Sequence, residues 1–202
     1  MLPGADDVVL YHDRCLSQQG RLEQSGGKHD SALWRNIEAN HRCNNLLWNE
    51  EDQARRTDVD DRDIAANKRA IDRYNQARND AIERIDERMI AMLEALRPGF
   101  ADDIRARLNS ETAGAIIDRL SILALKERAM REQAERADAG AEHVSQCRQK
   151  LARLKEQRAD LAGCLDALLH DCCAGLARYK IYRQFKMYND PHTNPYLYGA
   201  KK

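Results

Sequence analysis

Two stretches of this chain repeat polar side chains at helical spacing, and a third sets two charges into an apolar run. His41, Asn44, Trp48 and Glu51 follow one another by three, four and three residues, which places an imidazole, an amide, an indole and a carboxylate on one helix face. Leu33 and Ile37 continue that face, so it points inward, where polar groups are costly unless partnered. Asp72, Asn75, Asn79 and Asp86 form a second stripe, with Glu83 beside it and Ile71, Ile82, Ile85 and Met89 on the neighbouring apolar stripe. Asp118 and Arg119 interrupt the otherwise apolar run Ile116 to Leu125, so both need partners from neighbouring helices.

Clustered oxygen ligands suit a hard divalent cation. If the stripes converge, Glu51, Asp72, Asp86 and Asp118 are the carboxylates that would hold Mg²⁺ or Mn²⁺. His41 and Glu51 would be the catalytic pair, with the imidazole as general acid or base. Arg119, Arg183 and Lys186 would neutralise phosphate, and Asn44, Trp48, Asn75, Asn79, Tyr188 and Asn189 complete the expected ligand-binding set. The reading is a metal-dependent enzyme or binding protein for a phosphorylated metabolite, a nucleotide or nucleotide-sugar. Glu50-Glu51-Asp52 and Glu83-Arg84-Ile85-Asp86 echo the acidic helix pairs of all-helical nucleotide pyrophosphohydrolases. The alternative is an ion network with Lys68, Arg69 and Arg78, and an internal ion pair at Asp118 and Arg119 that fixes helix register.

The elements that must position these groups read as helices. None of the four prolines falls between Gly99 and Asp190, and no alternating β-branched run bounded by turn residues is present. Helices are expected over Ala5 to about Glu23, from an Asp30 N-cap to about Arg55, and from about Asp61 to Leu96, where Arg97-Pro98-Gly99 stops the third. A short helical piece, Ala101 to Leu108, leads to a fourth helix capped by Ser110 and running to about Ala139. The fifth begins near Ala141 and has no strong stop before Met187, which would make it about 70 Å long. Val144, Cys147, Leu151, Leu154, Leu161, Leu165, Leu168 and Cys172 form a heptad seam on it, broken by Arg158. Its mate is the fourth helix, in an antiparallel hairpin, or a second copy in a homodimer. The expected fold is all-α: about five helices, with the fourth and fifth as a long antiparallel hairpin, and an extended aromatic C-terminal tail. One domain spans 1–202, with core helices over about 30–96 and 110–188 and a tail over 189–202.

Composition narrows the partners. Of 202 residues, 33% are charged and 43% hydrophobic, too many of the latter for a disordered chain. Basic and acidic residues number 33 each, so no overall field draws the protein to nucleic acid or an anionic membrane. No basic-then-apolar leader or membrane span is visible, and none of the six cysteines forms a CxxC pair, so reduced, buried thiols in the cytoplasm are expected. Six of the eleven aromatics fall between Tyr179 and Tyr198, interleaved with basic residues. They could stack on a base or sugar, or pack the tail onto the bundle and fill gaps.

Several longer motifs carry a family resemblance. His41-Arg42-Cys43-Asn44-Asn45-Leu46-Leu47-Trp48-Asn49-Glu50-Glu51-Asp52 is the longest. With it go Asn75-Gln76-Ala77-Arg78-Asn79-Asp80, Ile117-Asp118-Arg119-Leu120-Ser121-Ile122-Leu123 and Gln184-Phe185-Lys186-Met187-Tyr188-Asn189-Asp190-Pro191. Together they resemble an uncharacterised bacterial domain-of-unknown-function family, family 4254. Asn45 and Ala113 depart from its pattern, where Phe and Pro are expected. The resemblance brings no catalytic residues. It implies a genomic setting beside glycosyltransferases of surface-polysaccharide assembly, and hence an alternative role as a non-catalytic helical adaptor docking on a glycosyltransferase.

Overall fold

A computed structural model describes residues 2–17, 31–185, 187 and 190–199. Its helices begin and end where the chain chemistry changes. After α1 (Ala5–Ser17) and α2 (Ser31–Gln53), α3 (Asp61–Leu96) starts behind the extended Asp60, with Asp61 and Asp63 complementing its positive N-terminal end. It stops at Arg97, before Pro98, and Gly99 takes a positive φ of 82°. The Glu94 carboxylate accepts the N–H groups of Gly99 and Ala101 at 2.9 and 2.7 Å, which closes the turn. Expectations on Asp30 and on residues 18–23 fall outside the described residues.

Where a short helix is expected after Gly99, the chain instead turns and forms β1 (Arg107–Leu108). Asp103 supplies the reason: its carboxylate accepts from the Arg105 N–H at 3.1 Å and pairs with Arg97, which favours a turn over a helical run. The α4 helix (Ala113–Ala134) is capped by Thr112, which accepts from the Ala115 N–H at 3.2 Å, and not by Ser110. The long fifth helix also ends sooner than expected. α5 covers Ala141–Ala174 and stops at Gly175, whose φ of +78° lets the Leu176 N–H return to the Asp171 carbonyl at 2.8 Å. The chain then forms β2 (Ala177–Arg178), which pairs parallel with β1. The tail is not simply extended: Asn194 caps a single helical turn, α6 (Pro195–Tyr198), with proline in the first turn.

The all-α class holds, with a two-residue strand pair as its only sheet among the described residues. α4 is the central element. It packs on α1, α2, α3 and α5, and Ile116, Ile117, Leu120, Ala124 and Leu125 are all buried. The seam of α5 lies against α4, with Leu161, Leu165, Leu168 and Cys172 buried and Val144, Leu151 and Leu154 half-buried toward the hairpin tip. The expected hairpin therefore covers the seam within one chain. Of the tail aromatics whose side chains are described, Tyr179 alone fills the core, edge-on to Phe100 with ring centroids 5.8 Å apart, whereas Tyr182, Phe185 and Tyr196 are exposed. Among the cysteines, Cys43, Cys147 and Cys172 are buried as expected, but Cys164 and Cys173 face solvent. No helix of the described residues is long and apolar enough to cross a membrane.

Truncating the seam tests this arrangement. Leu165→Ala should lower stability by about 2–5 kcal/mol, the usual cost of emptying a buried leucine site, and Leu151→Ala by clearly less. Urea midpoints of the two variants measure it. Equal losses would mean that the hairpin tip is covered by something other than its own chain.

Candidate functional site

The polar residues of α2, α3 and α4 meet at Asp118, on the face α4 turns toward α2 and α3. Its Oδ1 accepts from Asn40 Nδ2 at 2.8 Å and Asn44 Nδ2 at 3.0 Å, both on α2. From α3, Arg78 Nε donates to the same oxygen at 2.8 Å while Arg78 Nη2 binds Oδ2, a bidentate pair. Asn44 also donates to Ser121 Oγ at 3.0 Å. Ser121 Oγ also makes a 2.8 Å hydrogen bond with His41 Nδ1. His41 stacks on His12 of α1, ring centroids 5.0 Å apart. Burial holds both imidazoles neutral, with His41 pushed down to about 4 and His12 well below its ordinary value. The Ser121–His41 contact is not a nucleophile pair: Ser121 has no exposed surface.

Above this network opens a cleft of about 330 Å³, lined by Asn44, Leu47, Trp48, Glu51, Asp52, Arg55, Asn75, Arg78, Ile122 and Leu125. Arg78 spends Nε and Nη2 on Asp118, and its Nη1 makes no hydrogen bond to any described residue. The cleft thus combines an indole, a fixed guanidinium edge and a mixed polar rim. A second cavity of about 220 Å³ follows along α3, lined by Asn79, Ile82, Glu83, Asp86, Ser110, Thr112, Ala115 and residues 180–182 and 184.

Asp86 anchors the second cavity. Its Oδ2 accepts from Thr112 Oγ1 and its Oδ1 from the Gly114 N–H, each at 2.6 Å, so the carboxyl closes the N-terminus of α4. A Cβ at position 114 would lie 2.8 Å from Asp86 Cγ and from the Ile82 carbonyl, so glycine is required there. Burial pushes Asp86 up to about 6, against the lowering effect of those two hydrogen bonds.

The expected convergence of carboxylates does not occur. Glu51 pairs with Arg55 at 3.0 Å on the surface, and Asp72 with Lys68 at 2.7 Å. Asp86 and Asp118 are engaged as described, and among the described residues no three His, Cys, Asp or Glu side chains form a group that could hold a metal. Arg119 does not pair with Asp118; it is exposed and binds Glu111 at 2.6 Å. Arg183 pairs with Glu83 at 2.7 Å and with Glu87. Asn79 donates to Gln184 at 2.9 Å. Lys186, Tyr188 and Asn189 lie outside the described residues. Asn44, Trp48, Glu51 and Asn75 do share the first cleft, and Asn79 and Asp86 the second. Sequence reasoning missed Asn40 and Ser121 as partners and used Arg78 only as a counter-ion. Asn40 sits one turn before Asn44, and Ser121 three residues after Asp118, so helical spacing was the available signal.

Residues 34–181 match the family described as "Protein of unknown function (DUF4254)", and the chain belongs to that family. No curated protein and no solved structure matches it.

Two measurements follow from the network. Asp118→Ala strands a buried arginine and two amides and should cost about 3–5 kcal/mol, whereas Arg119→Ala removes an exposed pair worth at most about 1 kcal/mol. Urea melts of both variants decide it, and similar losses would refute the central role of Asp118. For pH, a histidine whose value falls on folding stabilises the native state above its unfolded value and loses that contribution on acidification. His41 drops from 6.5 to about 4, so about 3 kcal/mol should vanish between those values at 1.36 kcal/mol per unit. Asp86 works in the opposite sense, because a raised carboxyl gains stability as pH falls from about 6 toward 3.8. His41→Gln should therefore flatten, and Asp86→Asn steepen, the loss of urea midpoint between pH 7 and 4.5. Parallel curves for all three proteins would contradict both assignments.

Proposed function

We propose that the protein binds a phosphorylated small molecule, of nucleotide or nucleotide-sugar type, in the cleft between α2, α3 and α4. The observation that carries this reading is Arg78: Asp118 fixes its guanidinium side-on, and its Nη1 edge is left to the cleft beside Trp48. A clamped guanidinium matches phosphate oxygens with little ordering cost, and an indole offers a face to a base or sugar ring. Glu51, Asp52 and Asn75 supply the polar rim that would read hydroxyl and amide groups.

The donor set does not fit a resident divalent ion, since the acidic side chains are dispersed and paired with other groups. In this reading Mg²⁺ or Mn²⁺ enters only as a counter-ion of the ligand's phosphates. His41 is buried and bonded to Ser121, so it positions Asn44 and is not an acid or base. A nucleotide-sugar ligand would suit the surface-polysaccharide setting that the family resemblance implies. The rival reading, an adaptor for a glycosyltransferase, draws support from the exposed Tyr182, Phe185, Met187, Tyr196 and Leu197 of the C-terminal segment.

Thermal melting of chelator-treated protein with nucleotides and nucleotide-sugars, with and without Mg²⁺ or Mn²⁺, separates the two. A ligand at a hundred times its Kd adds about 2.7 kcal/mol to the native state. At ~2–4 °C per kcal/mol for a chain of this size, the melt should rise by about 5–10 °C. Trp48→Ala should abolish the rise. No shift with any member of the panel would move the assignment to the adaptor.

A further inference from the structure

Resting on the cleft reading above, we infer that the two cavities are halves of one elongated site, built for a nucleoside diphosphate carrying a sugar. In this arrangement the nucleoside ring lies at Trp48, the diphosphate at Arg78, and the sugar under residues 180–184.

Both cavities use the same stripe of α3. Asn75 and Arg78 line the first, and Asn79, Glu83 and Asp86 the second, with no intervening turn. The α4 side follows in antiparallel order: Ile122 and Leu125 at the first cavity, Ala115 and Thr112 at the second, and Asp118 between them. From Asn75 to Asp86 is eleven residues, about 16 Å along a helix at 1.5 Å each. At about 220 Å³ the second cavity is smaller than the ~300–1,000 Å³ usual for ligand sites. Joined to the first, at about 330 Å³, it falls within that range.

The chemistry of the two halves differs in a way that orders the ligand. The first half holds the indole and the fixed guanidinium. In the second, Asn79, Ser110, Thr112, Tyr182 and Gln184 present amides and hydroxyls, and Lys180 has no ion pair among the described residues. That lining suits a polyhydroxylated ring. The α4 N-terminus, which would otherwise attract a phosphate, is already closed by the Asp86 carboxyl. The diphosphate is therefore directed to Arg78, at the junction of the two halves. The roof over the sugar half is tied to α3 by Arg183 to Glu83 and Glu87 and Gln184 to Asn79 and Glu83, with Ile181 half-buried beneath it and Tyr182 72% exposed. Exposed pairs of this kind release easily, which admits a ligand too long to thread.

Isothermal titration of the full chain with UDP, ADP and GDP, and with UDP-glucose, ADP-glucose and GDP-glucose, tests the inference. For the base that binds, the glucose conjugate should bind at least tenfold tighter than the bare diphosphate. The double variant K180A/Y182A, both positions exposed, should shrink that ratio toward one. Trp48→Ala should weaken both ligands together and keep the ratio. Equal affinities in the wild type, or a ratio untouched by K180A/Y182A, would overturn the joined site while leaving the first cleft as a nucleotide site. Binding of none of the six would overturn both readings. A circular-dichroism melt of each variant establishes that it is folded.

Discussion

The placement of α4 depends on one buried carboxylate. That helix is apolar on most sides, so hydrophobic burial alone leaves its rotation and register weakly defined. Asp118 removes the freedom. It sits 3% exposed on a core-facing turn and is satisfied only when α2 presents Asn40 and Asn44 and α3 presents Arg78 at the same point. Any slip of α4 by one residue would turn the charge toward the core or strand it against aliphatic side chains, and an unpaired buried carboxylate is too costly to persist. The pair adds little stability over a well-packed apolar substitute. What it adds is a single admissible arrangement of three helices.

A second clamp acts two turns away along α3. Asp86 closes the N-terminus of α4, and the absence of a Cβ at Gly114 lets α3 and α4 approach closely at that point. Two fixed points on one helix pair define a crossing, so the wall shared by both cavities is rigid. The opposite side of the second cavity is the segment after β2, tied down by surface ion pairs. A stiff wall and a loosely held roof are the division that the proposed site would need to orient a ligand and admit it.

How far the sequence announced this differs element by element. α3 was legible from end to end, because a polar start, an unbroken helical period and an Arg-Pro-Gly stop agree with one another. The end of α5 was not. Beyond Gly175 the aromatic and basic residues keep a helix-compatible spacing, and the strand that takes over is only two residues long, paired with a partner seventy positions earlier. No local pattern encodes such a pairing. The inward stripes were legible in kind: His41, Asn44, Asp86 and Asp118 are all buried. Their meeting points were not, because periodicity fixes a face of a helix while convergence also depends on crossing angles. Glu51 and Asp72 share stripes with buried residues, yet both lie toward the α2–α3 turn, where the faces open to water and lysine or arginine partners are near.

The network also limits which groups in the cleft are free to meet a ligand. An amide nitrogen carries two hydrogens, and Asn44 Nδ2 already faces Asp118 and Ser121 at 3.0 Å, with Asn40 Oδ1 behind them at 3.3 Å. A ligand acceptor reaching for that nitrogen would have to displace Asp118 or Ser121, and displacing Ser121 removes the hydrogen bond that ties Asn44 to the Ser121–His41 pair. His41 in turn stacks on His12, whose helix is held to the bundle by the pairing of Asp13 with Arg158 at 2.8 Å. The cost of taking the Asn44 donor would therefore spread to the docking of α1. Donors elsewhere in the cleft carry no such cost: the Nη1 edge of Arg78, the amide of Asn75, the indole N–H of Trp48, and the guanidinium of Arg55, whose Nη1 alone binds Glu51. Asn44 is floor, and an anionic group entering this cleft would meet the guanidinium groups of Arg78 and Arg55.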